Sequence, residues 1–297
     1  MTSHVPRPLR VALSAVMVLE VIGCGVTDQA SKPAPTTASA TTSQSVAPSV
    51  VAPSVIVTPP ASPASPVPDP TISPPPDPGP RNPAALEDGV PYGPTIDPSS
   101  FVDVIDNPYF PLTPGTSFVF EGGDEHIKIE VTSERRVVMG VSTVVVRDRA
   151  FVDGKLAEDT ADWFAQDRAG NVWYFGEATT SYEKDPAGDH TGSWEGGVDG
   201  ALPGIVMLAV PKGGDVYRQE FYAGQAEDLA LVRHANGVIK VRAGSFKGLL
   251  VTEEWTPLEP DQIELKYYAR GVGLVAERGI LGGSDLVELV SVTPRGG

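Results

Sequence analysis

The sequence is almost without cysteine: Cys24 is the single one in 297 residues. That excludes a disulfide scaffold and a Cys-rich zinc site. Positive charge is also scarce, with 22 Lys and Arg against 38 Asp and Glu and a formal net charge of −16. From Ile96 onward the balance is 18 basic to 32 acidic residues, which argues against a nucleic-acid surface. Long apolar runs are missing. The best, residues 11–19, is broken by Ser14 and is roughly half the ~20 residues a membrane helix needs. There is no G-x-S-x-G nucleophile elbow and no H-E-x-x-H. Of the four histidines, His4 is at the N-terminus, and His126, His190 and His234 lie far apart beside turn residues.

What is plentiful is proline, and it is unevenly spread. Of 30 prolines, 18 fall between Gly25 and Thr95, among Ala, Ser, Thr and Val. Such a stretch cannot bury enough apolar surface to offset the entropy of ordering it. Ala47-Pro48-Ser49-Val50 returns as Ala52-Pro53-Ser54-Val55, and Pro74-Pro75-Pro76 follows. Residues 24–95 therefore read as a disordered stalk with polyproline II character, able to reach at most about 220 Å. Its Ser and Thr content also permits O-glycosylation. The folding part is residues 96–297, about 200 residues, enough for one core.

Before the stalk, residues 1–10 carry two arginines and no acid, and the short apolar run follows. This is the layout of an export signal. Val21-Ile22-Gly23-Cys24 resembles the bacterial lipobox, an aliphatic and small-residue run ending in cysteine. The resemblance implies that residues 1–23 are removed. It further implies that Cys24 carries a diacylglycerol and a fatty acid such as palmitate, anchoring the chain to a membrane. An exported protein has little other use for one unpaired thiol.

From Ser117 the pattern becomes short alternating runs between turn signals. Ile127, Ile129 and Val131 alternate with Lys128, Glu130 and Thr132. Asp153-Gly154 and Asn236-Gly237 are hairpin dipeptides. Asp167-Arg168-Ala169-Gly170-Asn171 reads as a longer hairpin loop, and Lys212-Gly213-Gly214-Asp215 as a turn. Residues 226–233 are the best helical stretch, and a short one. The fold class is all-β: a single antiparallel, strongly curved sheet or open β-barrel of about 10–12 strands. Gly271-Val272-Gly273-Leu274-Val275-Ala276 has the letters of a dinucleotide fingerprint. Glu277-Arg278-Gly279 follows where that motif needs a helix, so it reads as a hairpin.

Three segments resemble a group of bacterial exported proteins of uncharacterised function: Asn107-Pro108-Tyr109-Phe110-Pro111-Leu112, Gly170-Asn171-Val172-Trp173-Tyr174-Phe175-Gly176-Glu177, and Tyr267-Tyr268-Ala269-Arg270-Gly271-Val272-Gly273-Leu274-Val275. The resemblance implies an antiparallel β fold in the cell envelope and supplies no catalytic residues. In outline the fold is similar to envelope lipoproteins whose concave sheet holds lipid.

Two candidate sites emerge. Core packing is the default for all four tryptophans, but Trp194 sits among Gly192, Gly196, Gly197 and Gly200 and is the candidate ligand-facing aromatic. The second comes from strand register. With Asp153-Gly154 as a two-residue turn, Ala150 pairs with Ala157 and Asp148 with Asp159. With Arg168-Ala169-Gly170 as a loop, Ala161 faces Glu177. Asp148, Asp159 and Glu177 then converge on one apolar face. Buried carboxylates together need a salt bridge, a cation such as Ca²⁺, or a shared proton. A register slip would scatter them.

The expectation is a lipid-anchored envelope protein, on the outer face of the cytoplasmic membrane or within the envelope. Its β domain binds a small or lipidic ligand or an envelope partner, without enzymatic activity and without a cofactor. The alternative is a hydrolase of envelope material, whose cleft would hold convergent titratable groups.

Overall fold

The computed structural model describes residues 92–182 and 188–294. The export signal, Cys24 and nearly all of the stalk lie outside the described residues. The β-strands are β1 (Phe101–Val102), β2 (Ser117–Gly122), β3 (Glu125–Val138), β4 (Val141–Val152), β5 (Lys155–Asp167), β6 (Val172–Ser181), β7 (Trp194–Glu195) and β8 (Leu202–Met207). They continue as β9 (Val216–Arg218), β10 (Glu220–Phe221), β11 (Leu229–Val241), β12 (Gly244–Trp255), β13 (Ile263–Ala269), β14 (Gly273–Leu281) and β15 (Leu286–Thr293).

All strands belong to one antiparallel sheet. Its order is β10-β8-β6-β5-β4-β3-β2-β15-β14-β13-β12-β11-β9, with β1 added on β5 and β7 on β6. The two ends of that order are neighbours in the chain. Residues 216–218 pair with β11, and after Gln219 residues 220–221 pair with β8. The sheet thus curls into a nearly closed barrel with twelve strand positions around it, β9 and β10 sharing one. Closure answers the problem of unpaired edges.

Alternation sorts each strand into an inner and an outer face. On β4 and β5, Val144, Val146 and Phe164 join the main core, while Val145, Trp163 and Ala165 form an outer cluster with Val138, Val141 and Phe175. Ile96 and Phe101 cover that cluster, and the Arg136 guanidinium lies 4.1 Å over the Trp163 ring.

The three segments that resemble exported proteins meet at one mouth of the barrel. Phe110 enters the core, 5.4 Å from the Phe164 ring and 6.5 Å from Tyr268. The Asn107 amide donates to Gly170 O and Leu208 O at 2.9 and 3.1 Å. Gly271 N donates to Pro108 O at 2.7 Å, and Arg270 stacks 4.5 Å over Tyr109. These motifs close the barrel.

Two local expectations are corrected. Residues 226–233 are not helical, since β11 starts at Leu229. Asn236-Gly237 lies inside β11 at a bulge, and the β11–β12 turn comes later, between Val241 and Gly244. Glycine is needed there for a close approach: a Cβ on Gly237 would stand 2.9 Å from Val251 Cγ2. Asp153-Gly154 does form the expected turn, with φ of 49° and 73°.

Candidate functional site

Ten acids and one cation, Lys266, are buried among the described residues. Most of the acids line the inside of the barrel, so the interior is short of positive charge and of hydrogen-bond donors. They form two groups.

The first group is carried by β4, β5, β6 and β10. Asp148 on β4 is 7% exposed, Asp162 on β5 1%, Glu177 on β6 2% and Glu220 on β10 1%. The Tyr174 hydroxyl donates to Asp162 Oδ1 at 2.9 Å, and the Thr160 and Thr179 hydroxyls share a 2.9 Å hydrogen bond. Among the described residues, Asp148 Oδ2, Glu177 Oε1 and both Glu220 oxygens have no hydrogen-bond partner. Trp194, 5% exposed, packs edge-on to Tyr174 at 5.2 Å. Its indole N–H faces the Glu220 carboxyl, yet closes no hydrogen bond.

Burial sets the protonation of this group. Desolvation raises the Asp148 carboxyl well above its usual range, and Asp162 and Glu158 raise it further. Desolvation, then Asp162 and Glu158, do the same to Glu177. For Glu220 the causes are desolvation, then Asp228 and Glu177. Asp162 is raised by desolvation to about 7, the Tyr174 hydrogen bond holding it lower and Glu158 pushing it up.

A group raised in the folded state contributes stability that is complete below its unfolded pKa and fades as pH climbs through its folded one. For Asp162 that window runs from about 3.8 to about 7. Urea denaturation should therefore show the protein more stable near pH 5 than near pH 8, and Asp162→Asn should flatten part of the decline. Stability that rises over this interval would mean that the carboxyls are ionised and compensated.

The second group surrounds Lys266 on β13. Its Nζ lies 3.0 Å from Glu254 Oε2, 3.1 Å from Glu264 Oε1 and 3.7 Å from Glu277 Oε2. Burial alone would depress the ammonium pKa, but these carboxylates hold it well above its usual value. Glu254 Oε1 accepts from the Thr252 hydroxyl at 2.7 Å and the Tyr268 hydroxyl at 3.3 Å. The Asp228 carboxyl, influenced by both Lys266 and Glu254, stands between the two groups, since it also acts on Glu220.

Of the trio expected from register, the structure brings Asp148 and Glu177 into the interior and places Asp159 outside. Ala150 pairs with Glu158 rather than Ala157, because one extra β5 residue, Ala157, bulges next to the hairpin. The slip turns Asp159 outward, where Arg147 grips it with bonds of 2.8 and 2.7 Å. It turns Asp162 inward instead. A second bulge then sets Glu177 opposite Asp162 and not Ala161. The signal for it is Gly176, whose φ is +127° and whose Cβ would stand 2.3 Å from Trp194 O. Glu220 and the Lys266 group were missed, because they meet the others only through barrel closure. Among the described residues no three His, Cys, Asp or Glu side chains gather as a metal site.

A separate apolar pocket lies beside the plugged mouth, lined by Phe110, Phe118, Phe120, Ile129, Val272 and Leu274 among others. It holds about 20 Å³, room for roughly one water.

No protein-family model matches this chain, and no curated protein matches it. Two solved structures are similar. One is an inferred exported protein with a YmcC-like fold from Bacteroides fragilis: 14% identity, TM-score 0.38, covering 63% of this chain and 99% of that one. The other is an inferred lipoprotein from Parabacteroides distasonis: 11% identity, TM-score 0.35, covering 62% of this chain and 98% of that one. Both likenesses are too distant to inform function.

Proposed function

We propose that this is a cell-envelope protein, anchored through a lipid on Cys24, whose barrel binds a small polar ligand in its interior rather than a lipid. One observation carries the choice of ligand. The inner wall presents Asp148, Asp162, Glu177 and Glu220, all at least nine-tenths buried, with four carboxyl oxygens lacking partners. Buried acceptors without donors cost about 1–3 kcal/mol each, so a guest that supplies donors is favoured there. The apolar pocket, at about 20 Å³, is far too small for an acyl chain. Hydrolysis of envelope polymers is disfavoured by the same burial, which keeps these carboxyls from a polymeric substrate.

The anchor and the ligand class are tested separately. Radiolabelled palmitate fed to expressing cells should label the wild type and not Cys24→Ser; equal labelling of both would refute the anchor. The full chain carrying Cys24→Ser should show no change in melting temperature on addition of palmitate. A saturable rise of several degrees would refute the polar interior site.

A further inference from the structure

Resting on that reading of the barrel as a binder of polar guests, we infer that its guest is a small organic cation with an ammonium group, held by Asp162, Glu177 and Glu220 beside the aromatic pair Tyr174 and Trp194.

The chemistry of the wall selects this class. Once these carboxyls ionise, the unpartnered atoms of the wall are all acceptors: Asp148 Oδ2, Glu177 Oε1, Glu220 Oε1 and Glu220 Oε2. A polyol brings as many acceptors as donors and leaves the excess unsolved. An ammonium group brings up to three N–H donors, no acceptor and the charge the interior lacks. A bare divalent metal wants six or more oxygens around one point, and these acids are spread over four strands with no such gathering. Phe164 stacks on Tyr174 with rings 5.0 Å apart, and Trp194 meets Tyr174 edge-on at 5.2 Å. Aromatic surface beside carboxylates is the environment an organic cation prefers.

Trp194 is the independent sign that something is meant to sit here. It is 95% buried by its 5% exposure, and its N–H is left unbonded while aimed at Glu220. An ionised Glu220, balanced by a cation, is the acceptor that N–H lacks. Glu158 on β5 is partly exposed and the Glu264 side chain on β13 is 21% exposed, while Asp162 and Glu177 deeper in are 1–2%. β7 is two residues long and flanked by Gly192, Gly196 and Gly197.

The test uses the full chain with Cys24→Ser, isothermal titration calorimetry and tryptophan fluorescence. The probes are ethanolamine and 1,4-diaminobutane, with glycerol, calcium chloride and palmitate alongside. An amine should saturate with a Kd below about 1 mM at pH 8 and quench tryptophan emission. It should bind about tenfold more weakly at pH 6, because the facing carboxyls of Asp148, Asp162, Glu177, Glu220 and Asp228, with Glu158 at their side, include five that burial keeps protonated and that must shed protons to receive it. Glu177→Gln and Glu220→Gln, which keep the shape of a protonated carboxyl, should each weaken binding about tenfold. Trp194→Phe should remove the quench. Amine binding untouched by these variants overturns the site. Binding of glycerol or calcium in place of amines overturns the organic cation and leaves the polar interior standing. Palmitate binding alone, or no binding of any probe, overturns both.

Discussion

Lys266→Met is expected to cost the barrel about 3–5 kcal/mol, the largest effect of any single charge removal in this protein. The ammonium is fully buried with Glu254, Glu264 and Glu277 around it, and Glu254 and Glu277 are themselves 1–2% exposed. Taking away the cation leaves buried carboxylates with nothing to balance them. They must protonate or draw in water, and either one costs stability. In a domain of about 200 residues the melting temperature should fall by about 10 °C or more. The triple change Lys266→Met, Glu254→Gln, Glu277→Gln should recover a good part of that loss, because it removes the charges together. Arg147→Met supplies the contrast. Its partner Asp159 is on the outside and the Arg147 side chain is 53% exposed, so the loss should stay below about 1 kcal/mol. A Lys266→Met protein that melts with the wild type would remove the ammonium from its place as the interior's counter-ion.

Gly204→Val should be nearly as damaging, for a steric reason. A Cβ at Gly204 would stand 2.3 Å from Gln219 C, 2.4 Å from Gln219 O and 2.6 Å from Arg218 O. All three are backbone atoms at the point where the chain passes from β9, paired with β11, to β10, paired with β8, so no side chain can move aside. The expected loss is about 3 kcal/mol or more. It should be local in its first effect: amide exchange should speed up across residues 216–221 and their β11 partners Leu229–Leu231 before it does in β3 and β4. Wild-type exchange in the seam of the variant would show that β8 and residues 216–221 are not in contact there.

Much of this architecture was legible because β patterning is local. Asp153-Gly154 announces a turn, and Ile127, Ile129 and Val131 announce an inner face. Bulges are less legible. Ala157 carries no mark that it is the extra residue, and that one residue decides whether Asp159 or Asp162 faces inward. Gly176 was the better clue, since a glycine inside a strand signals a close backbone approach. Asn236-Gly237 misled for a related reason: the same dipeptide serves a hairpin and a strand crossing a crowded neighbour. Glu220, Asp228 and Lys266 were beyond reach of local reading. Their meeting depends on the sheet curling until its ends touch, and no window of sequence contains that event.

The plugged mouth also bears on when this protein can fold. Phe110 and Pro108 precede β2, yet their partners Tyr268 and Gly271 lie near the other end of the chain. β2 itself is flanked on one side by β15, with Phe118 opposite Val292. Contacts this distant make for slow closure, because a long loop must be ordered before it is rewarded. A chain delivered N-terminus first can pack Phe110 on Phe164 and pair β2 with β3 early, but it holds the other side of β2 and the Tyr268 and Gly271 contacts open until its last strands arrive. Folding is gated by completion, and a chain cut short before β15 loses one of the two partners of β2, not merely its own tail.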